Sequence, residues 1–347
     1  MTGKERILAA IRGKEPDRVP VFPLAHYFTA SVTGISVKDF ATDADRMASA
    51  LLAGYERFGW DGIQPGSDVA VEGEALGSEL SYPEDAPPYV VRPALEDPAR
   101  LAQLKPPNPL RDGRMPIIVG ATQICAREAG KDAFIGPFMM GPLNCASQVR
   151  GVENLMTDIL DRPEFVDALL DFCTAFLIDF GKALIDVGAD AVFLGEALCS
   201  PRMISPRFYA GTVVPRQQRL ICALKEYAPV RIALHVCGNV TKIIPAMIDT
   251  GADILDLDWA VDMGAAKRMC ARRVAIRGNI DPATVLLQGT PELVYAKSRE
   301  VIEAAGAGGG LILGSGCDVA LGTPHTNMHA MVTAAIETQP GGLRRGG

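Results

Sequence analysis

The sequence contains no apolar run long enough to cross a membrane, and its N-terminus lacks the apolar centre of a secretion signal. The charged residues Lys4, Glu5 and Arg6 lead directly into an amphipathic segment. A membrane-spanning helix needs about 20 mostly apolar residues, and a signal peptide needs about 7–15 apolar residues behind a basic start. We therefore expect a cytoplasmic protein that does not enter a membrane.

Basic residues are also in deficit. The chain has 34 Lys and Arg against 41 Asp and Glu, which gives a formal net charge of −7. Surfaces that bind nucleic acid or anionic membranes are usually basic, because phosphate groups attract Lys and Arg. The charge balance therefore argues against both partners and leaves open only a local basic pocket for a small anion.

Cysteines are too sparse for a disulfide scaffold, with eight in 347 residues and no pair spaced as C-x-x-C. The chain therefore lacks both a thioredoxin-like redox motif and a zinc ribbon, and we expect free thiols. Cys173 and Cys222 have apolar helical surroundings that favour core positions. Cys270 stands among arginines, which favours partial exposure, and Cys199 follows a predicted strand closely enough to line a site.

Strand and helix patterns alternate along the chain. Thr2 and Glu5 form a capping-box pattern that starts a helix at once. A second helix is predicted over 43–58, and glycines that fit left-handed helix ends precede strands at Gly59, Gly188 and Gly251. Strands are predicted to start at Ile63 and to cover 21–24, 116–122, 134–139, 191–194, 232–234, 254–257, 274–279 and 311–316.

Eight or nine strand-like runs, most of them separated by helical segments, predict an α/β fold. The expected form is a single (β/α)8 TIM-type barrel with an N-terminal helical extension. A doubly wound sheet is the alternative, but no G-x-G-x-x-G follows the first strand. The proline-rich region 83–115 is predicted to be a surface excursion. We assign 1–338 to one barrel domain and 339–347 to a flexible tail.

Barrel active sites lie at the C-terminal ends of the strands. His235 and Cys237 lie two residues apart at such an end and should face the same side, and Cys317 ends another strand. One imidazole and two thiolates suit Zn²⁺, and three protein ligands leave a fourth position for a substrate. The alternative is a core histidine with two buried thiols. Asp256 and Asp258, on the next strand, can orient His235 or serve the barrel core, and Asp256 is also a candidate substrate-binding residue.

Other polar residues at strand ends are weaker candidates. Glu196 ends the strand before that of His235, so it can be an acid, a fourth metal contact or a simple rim carboxylate. Asn279 can bind a substrate or cap a turn. His325 and His329 share a face of the last predicted helix, but no Glu at 326 completes H-E-x-x-H. We expect no metal at that second histidine pair.

Three motifs in a fixed order indicate a family. H-x-C-G-N at 235–239, G-N-I-D-P at 278–282 and G-x-G-C-D-x-x-x-G-T-P at 314–324 resemble the corrinoid-dependent methyltransferases of the uroporphyrinogen decarboxylase superfamily. The nearest type is the methylcobamide:coenzyme M methyltransferases, and the resemblance runs from K-E-R-I-L at 4–8 to Thr323-Pro324. It implies a (β/α)8 barrel and a zinc ion bound by His235, Cys237 and Cys317.

The resemblance also implies a methyl transfer in which a corrinoid cobalt exchanges the methyl group with a small donor or acceptor. The chain has no D-x-H-x-x-G corrinoid-binding motif. The corrinoid, methylcobalamin in its methylated form, is therefore expected on a separate protein. Thiols, methyl ethers and methylamines all stay open as substrates, as does the direction of transfer.

Two other functions are alternatives to methyl transfer. A uroporphyrinogen decarboxylase would need an R-Q-A-G-R-like segment after the first strand, where this chain has residues 24–29 without arginine. Asp68 matches the decarboxylase's substrate-binding aspartate, but the decarboxylase lacks the zinc triad and has G-H-G where this chain has Gly314-Ser315-Gly316. A non-catalytic zinc-binding barrel is the third reading.

Overall fold

A ring of parallel strands with helices on its outside forms the centre of the computed structural model, which describes residues 1–338. The predicted tail, 339–347, lies outside the described residues. The strands are β1 Gly62–Ile63, β2 Glu79–Ser81, β3 Tyr89–Arg92, β4 Phe134–Ile135, β5 Phe138–Met140, β6 Ala191–Gly195, β7 Arg231–Val236, β8 Ile254–Leu257, β9 Ala275–Ile280 and β10 Leu311–Ser315.

The helices occupy the connections between the strands and the outside of the ring. They are α1 Gly3–Ile11, α2 Ala30–Thr33, α3 Val37–Thr42, α4 Ala44–Phe58, α5 Val71–Ala75, α6 Met115–Ala129, α7 Pro142–Arg150, α8 Val152–Asp161, α9 Pro163–Asp186, α10 Pro206–Phe208, α11 Val214–Tyr227, α12 Ile244–Asp249, α13 Met263–Cys270, α14 Pro291–Ala305 and α15 His325–Glu337. Within residues 1–338, no helix combines the length and the apolar character required to cross a bilayer.

The ring closes through strand pairs that are all parallel. β5 to β10 pair in sequence order, and β1 pairs with β4. Val21 closes the circle: it forms a parallel bridge with Leu313, and its carbonyl accepts the amide of Asp61 at 2.8 Å, just before β1. The predicted first strand is thus reduced to one bridging residue beside Pro20 and Pro23, since proline lacks the amide hydrogen that a ladder needs. The predicted TIM-type barrel is confirmed.

Strand register places several polar residues at one level of the ring. Gly195 is opposite His235, His235 is opposite Asp256, and Asp256 is opposite Arg277. Side chains that are opposite one another and at the same level of a sheet lie close together. The register therefore brings an imidazole, a carboxylate and a guanidinium together near the C-terminal end of the barrel.

The strand predicted over 116–122 is wrong, because these residues lie in α6. The β-branched run Ile117-Ile118-Val119 favoured a strand, but Pro116 lies in the first helical turn, where its missing amide hydrogen costs nothing. Ile118 and Cys125 are buried on the helix face that packs towards the barrel. Tertiary packing therefore overrides the local preference of branched residues for strands.

The helix-end glycines and the proline-rich excursion mostly match expectation. Gly59, Gly188 and Gly251 have positive φ angles of 69°, 104° and 85°, a region that favours glycine. The excursion contains the hairpin strand β3, but it is not wholly superficial, because Leu95 is completely buried. The connection between β2 and β3 also reaches over the C-terminal end of the barrel, as described below.

The N-terminal extension is fastened to the barrel by a buried carboxylate. Asp61 is 1% exposed and accepts hydrogen bonds from Arg6 Nη1 at 3.0 Å, Arg18 Nη1 at 2.7 Å and the Val21 amide at 2.6 Å. Three donors from the N-terminal segment thus converge on one residue at the start of β1. A buried ion pair of this kind is costly to break, because removal of one partner leaves the other charges uncompensated.

We predict that Asp61→Ala lowers the free energy of unfolding by about 3 kcal/mol or more, because Arg18 and the Val21 amide lose their carboxylate partner and Arg6 keeps only Asp17. Urea unfolding followed by circular dichroism measures the change. Glu128→Ala is the control: its carboxylate pairs with Arg127 at the surface, and its removal should alter stability little. Equal stability of the two variants would contradict the role assigned to Asp61.

Candidate active site

Three potential metal ligands meet at the C-terminal end of the barrel. His235 lies on β7, Cys237 follows that strand, and Cys317 follows β10. The Sγ of Cys237 is 3.3 Å from Nε2 of His235 and 4.0 Å from Sγ of Cys317, and all three donor atoms lie within 4.8 Å of one another. Among residues 1–338, this is the one such cluster of three His, Cys, Asp or Glu side chains.

The spacing of these donors fits a tetrahedral zinc site. Zinc bond lengths of about 2.0–2.3 Å place neighbouring nitrogen and sulfur ligands about 3.5–3.8 Å apart, and the two contact distances of 3.3 and 4.0 Å bracket that value. One imidazole and two sulfurs form a soft, mixed donor set that Zn²⁺ favours. The predicted trio is therefore assembled in space and can hold such an ion.

The two thiols interact strongly with each other. The hydrogen bond from Cys237, assisted by His235, lowers the pKa of the Cys317 thiol to about 4 despite its burial. The same hydrogen bond raises the pKa of Cys237. The pair thus shares one proton, and a metal that binds both sulfurs must release it.

A carboxylate from the next strand orients His235. Asp256 Oδ2 lies 3.2 Å from Nδ1 of His235, and the Asp256 carbonyl oxygen is at the same distance. Nε2 is therefore left to face the two sulfurs. Burial acts to lower the pKa of His235, but the Asp256 charge and its hydrogen bond outweigh burial and raise it. Asp256 thus lies behind the imidazole, on the side away from the sulfurs, and both its orienting role and its substrate-binding role stay predictions.

A fully buried arginine in turn holds Asp256. Nη1 of Arg277 lies 3.1 Å from Asp256 Oδ2, and Nη2 donates to Gln64 Oε1 at 2.9 Å. Its guanidinium lies 4.6 Å from the ring centre of Phe22 and 4.8 Å from that of Phe193. Arg277, Asp256 and His235 therefore form a chain of contacts from the barrel interior to the candidate metal site.

A cavity of about 370 Å³ opens beside the two sulfurs. His235, Cys237 and Cys317 form part of its wall. Apolar side chains form much of the remainder: Leu24, Val69, Pro87, Pro88, Phe138 and Met140. The polar contributors are His26, Tyr27, Ser67, Asp68, Asn144 and Asp318. The volume suits a small molecule.

Asp68 borders this cavity, as its predicted substrate-binding role requires, but its oxygens are already occupied. Tyr27 and Ser67 donate to Oδ2 at 2.8 and 2.9 Å, and Arg114 Nη2 and the Ala70 amide donate to Oδ1 at 2.9 and 3.0 Å. Burial acts to raise the pKa of Asp68, but Arg114 outweighs it and keeps the pKa low. Asp68 therefore fixes the Tyr27 hydroxyl on the cavity wall, and direct substrate binding by Asp68 stays a prediction.

Glu196 is buried and faces the start of α7. Its carboxylate accepts the amides of Leu143 and Asn144 at 3.3 and 3.0 Å and the side chain of Gln217 at 3.1 Å. Burial raises the pKa of Glu196 to about 7. Its neighbours Gly195 and Ala197 border the cavity, whereas its own contacts stabilise a helix N-terminus. The proposed acid role of Glu196 stays a prediction.

Asn279 and the second histidine pair lie apart from the sulfurs. The Asn279 amide donates to the carbonyls of Asp258 and Val261 at 3.0 and 2.7 Å, so it stabilises a turn. The substrate-binding role assigned to Asn279 stays a prediction. His325 packs edge-on against the aromatic rings of Phe28 and Phe58, and His329 packs against the ring of Phe58. Neither belongs to the metal-ligand cluster found within residues 1–338.

The remaining cysteine expectations have mixed outcomes. Cys173 is buried as predicted, but Cys222 is exposed, since it lies on the outer face of α11. Cys270 is only 1% exposed, despite its arginine neighbours. Cys199 is buried with its sulfur near Gln217, away from the cavity wall.

Sequence reasoning missed three residues of the site. Arg277 immediately precedes the G-N-I-D-P motif, but only strand register reveals its partner. Arg114 lies in the proline-rich region 83–115, where the local sequence pattern does not indicate its role. His26 borders the cavity with Nε2 buried and without a hydrogen-bond partner among the described residues, and burial lowers its pKa to about 3. His26 is therefore neutral near pH 7.

Comparisons with known proteins agree with the family that the sequence motifs indicate. A family model described as uroporphyrinogen decarboxylase (URO-D) matches residues 2–338. Methylcobamide:CoM methyltransferase MtbA of Methanosarcina acetivorans is 30% identical over 96% of this chain and 97% of its own. A methylated-thiol–coenzyme M methyltransferase of Methanosarcina mazei is 32% identical, over 97% and 90%. A solved methyltransferase from Methanosarcina mazei has a TM-score of 0.89 at 27% identity, covering 97% of this chain and 99% of that one. The resemblance predicted from the motifs is confirmed.

We predict that Asp256→Asn weakens Zn²⁺ binding by about 10–100-fold, because the imidazole loses the anion that orients it and raises its basicity. Competition with a chromophoric chelator measures the affinity, and thermal unfolding verifies that the variant folds. Asp258→Asn is a matched control, since Asp258 lies two residues further along and its carboxylate accepts only the Ala260 amide, at 3.0 Å, among the described residues. Unchanged affinity in a folded Asp256→Asn protein would contradict the orienting role.

Proposed function

Since the chain belongs to the uroporphyrinogen decarboxylase family, we propose that it is a zinc-dependent methyltransferase of that family. It moves a methyl group between a corrinoid, carried by a separate protein, and a small substrate such as a thiol or a methylated donor. Full-length relatives named as methylcobamide and methylated-thiol methyltransferases support the reaction class. We place the protein in the cytoplasm with its corrinoid partner.

The observation that carries the proposal is the cluster of His235, Cys237 and Cys317 on the wall of a small cavity. A zinc ion bound there supplies Lewis acidity, which lowers the pKa of a coordinated thiol and makes it a nucleophile near neutral pH. The two cysteine thiolates offset the charge of a divalent ion, and Asp256 keeps the imidazole in a ligating orientation. Donors on a cavity wall are typical of a catalytic site, because structural zinc sites have all four positions closed by protein.

The size of the cavity supports an external corrinoid. A volume of about 370 Å³ suits a small methyl donor or acceptor, whereas a whole corrinoid macrocycle is much larger. The corrinoid would therefore approach the mouth of the cavity from the partner protein. The apolar walls, among them Phe138 and Met140, would exclude water from the methyl group during transfer.

Decarboxylation has less support. A porphyrinogen that carries several carboxylates needs cationic partners, and none of the lysines or arginines within residues 1–338 borders the cavity. Asp68, the one residue that favours this reading, already has its oxygens engaged by Arg114, Tyr27 and Ser67.

Metal analysis tests the ligand set. We expect about one zinc per chain in the wild-type protein, and a loss of most of it in Cys237→Ala and Cys317→Ala, since removal of one of three ligands weakens binding strongly. Inductively coupled plasma mass spectrometry measures the content. Cys222→Ala, which removes an exposed thiol, should keep its zinc. A wild-type protein without zinc, or full retention in both ligand variants, contradicts the proposed site.

Spectroscopy of free cobalamins tests the reaction. With zinc-loaded protein, we expect methylcobalamin and small thiols to give demethylated cobalamin and a methyl thioether, or cob(I)alamin and a methylated donor to give methylcobalamin. Visible absorbance follows the cobalamin and mass spectrometry identifies the product. Cys317→Ala should lower the rate by about 100-fold or more, because it removes the Lewis-acid site. Turnover of a porphyrinogen without any methyl transfer would favour the decarboxylase instead.

A further inference from the structure

We propose that the cavity accepts uncharged or cationic methyl donors and acceptors and discriminates against anionic ones. Coenzyme M, the thiol in the names of the relatives, is 2-mercaptoethanesulfonate and carries a permanent negative charge. The proposal rests on the methyl-transfer function and adds to it the substrate class. Its basis is the distribution of charge around the cavity.

No lysine or arginine of residues 1–338 borders the cavity. The charged side chains that do so, apart from the candidate metal ligands, are Asp68 and Asp318. An ammonium or hydroxyl group could interact with the Asp318 carboxyl group or with the Tyr27 hydroxyl. A sulfonate would find no cation on the described wall.

The two arginines behind the wall are already neutralised. Arg114 forms a two-bond pair with Asp68 and a further contact with Glu74 at 2.7 Å. Arg277 pairs with Asp256 at 3.1 Å and has no exposed surface. Neither guanidinium therefore supplies net positive charge to the cavity, and both are held in place by several contacts.

His26 and a zinc-loaded metal site supply no positive charge either. His26 is neutral near pH 7, since burial lowers its pKa to about 3. The charge of a divalent ion held by Cys237 and Cys317 is balanced by two thiolates. The Asp318 carboxyl group, which accepts the His26 amide at 3.2 Å, is neutral or negative in either protonation state.

The cost of an anion in this cavity follows from simple electrostatics. A charged group that leaves water needs a counter-ion or several hydrogen bonds. The described wall has no lysine or arginine, and the Tyr27 and Ser67 hydroxyls already donate to Asp68. A nearby like charge adds to the penalty. The cavity therefore discriminates through an unfavourable interaction with anions as well as through favourable contacts with other substrates.

Three two-carbon thiols of different charge test the proposal: 2-mercaptoethanol, 2-aminoethanethiol and 2-mercaptoethanesulfonate. We expect kcat/KM for methylation by methylcobalamin, divided by the uncatalysed rate for the same thiol, to be about tenfold or more lower for the sulfonate. Isothermal titration calorimetry of the zinc-loaded protein with each thiol should give the same order of dissociation constants. Equal or better binding of the sulfonate overturns the proposal.

The two measurements separate this proposal from the proposed function. Absence of methyl transfer to any thiol would overturn the function, while the order of dissociation constants would still decide the charge selectivity. Arg344 and Arg345 lie outside the described residues, so both experiments are repeated with the two replaced by Ala. The same order is expected, and an order that favours the sulfonate again overturns the proposal.

A matched pair of variants tests the cause. Val69 borders the cavity and is 44% exposed, so a longer side chain can be placed there without disturbing the core. Val69→Lys should raise kcat/KM for the sulfonate relative to 2-mercaptoethanol by about tenfold, because it supplies the missing cation. Val69→Gln adds length and polarity without charge and should keep the wild-type ratio. An equal shift in both variants contradicts a charge-based selection.

Discussion

The ion pair between Arg277 and Asp256 is the interaction on which the candidate site depends. A guanidinium with no exposed surface is stable only when a carboxylate and further acceptors replace its water. Strand register places Asp256 between Arg277 and His235, so the carboxylate that neutralises the arginine also orients the imidazole. Loss of the Asp256 side chain would leave Arg277 without its counter-ion and His235 Nδ1 with only the backbone carbonyl of residue 256 as a partner. The stability of the barrel interior and the geometry of the metal ligands are therefore coupled through one residue.

Two other acidic residues near the site, Glu196 and Asp68, are occupied by structural contacts. Glu196 accepts backbone amides at the start of α7, and Asp68 accepts donors that include Arg114 and Tyr27. A carboxylate with its lone pairs filled by protein donors is poorly placed to bind a substrate as well. The sulfur atoms of Cys237 and Cys317 differ from these carboxylates, because Cys237 and Cys317 border the cavity and the sulfurs contact each other and His235. The reactive chemistry of the site is thus concentrated in its soft donors.

The parts of the site that were predictable from the sequence depend on local rules. His235 and Cys237 follow from the two-residue period of a strand, and Cys317 from the rule that barrel sites form where strands end. Arg277 was not predictable in the same way, because its partner is 21 residues away and is defined only by the register of neighbouring strands. Arg114 binds Asp68 from a position 46 residues further along the chain. Likewise, the local pattern at 116–122 favoured a strand, whereas packing outside the barrel makes it a helix.

Metal binding and contact with the substrate involve partly different elements of the structure. His235 lies on β7, and Cys237 and Cys317 directly follow β7 and β10, within the ring. Pro87, Pro88 and Tyr89 of the excursion form part of the cavity wall. Val69, for example, lies on this wall and is not one of the three candidate ligands. Substitutions in the wall can therefore change the charge or shape that a substrate meets without disturbing the donors. With this separation, chains of one fold can keep their ligands and still differ in the substrate that they accept.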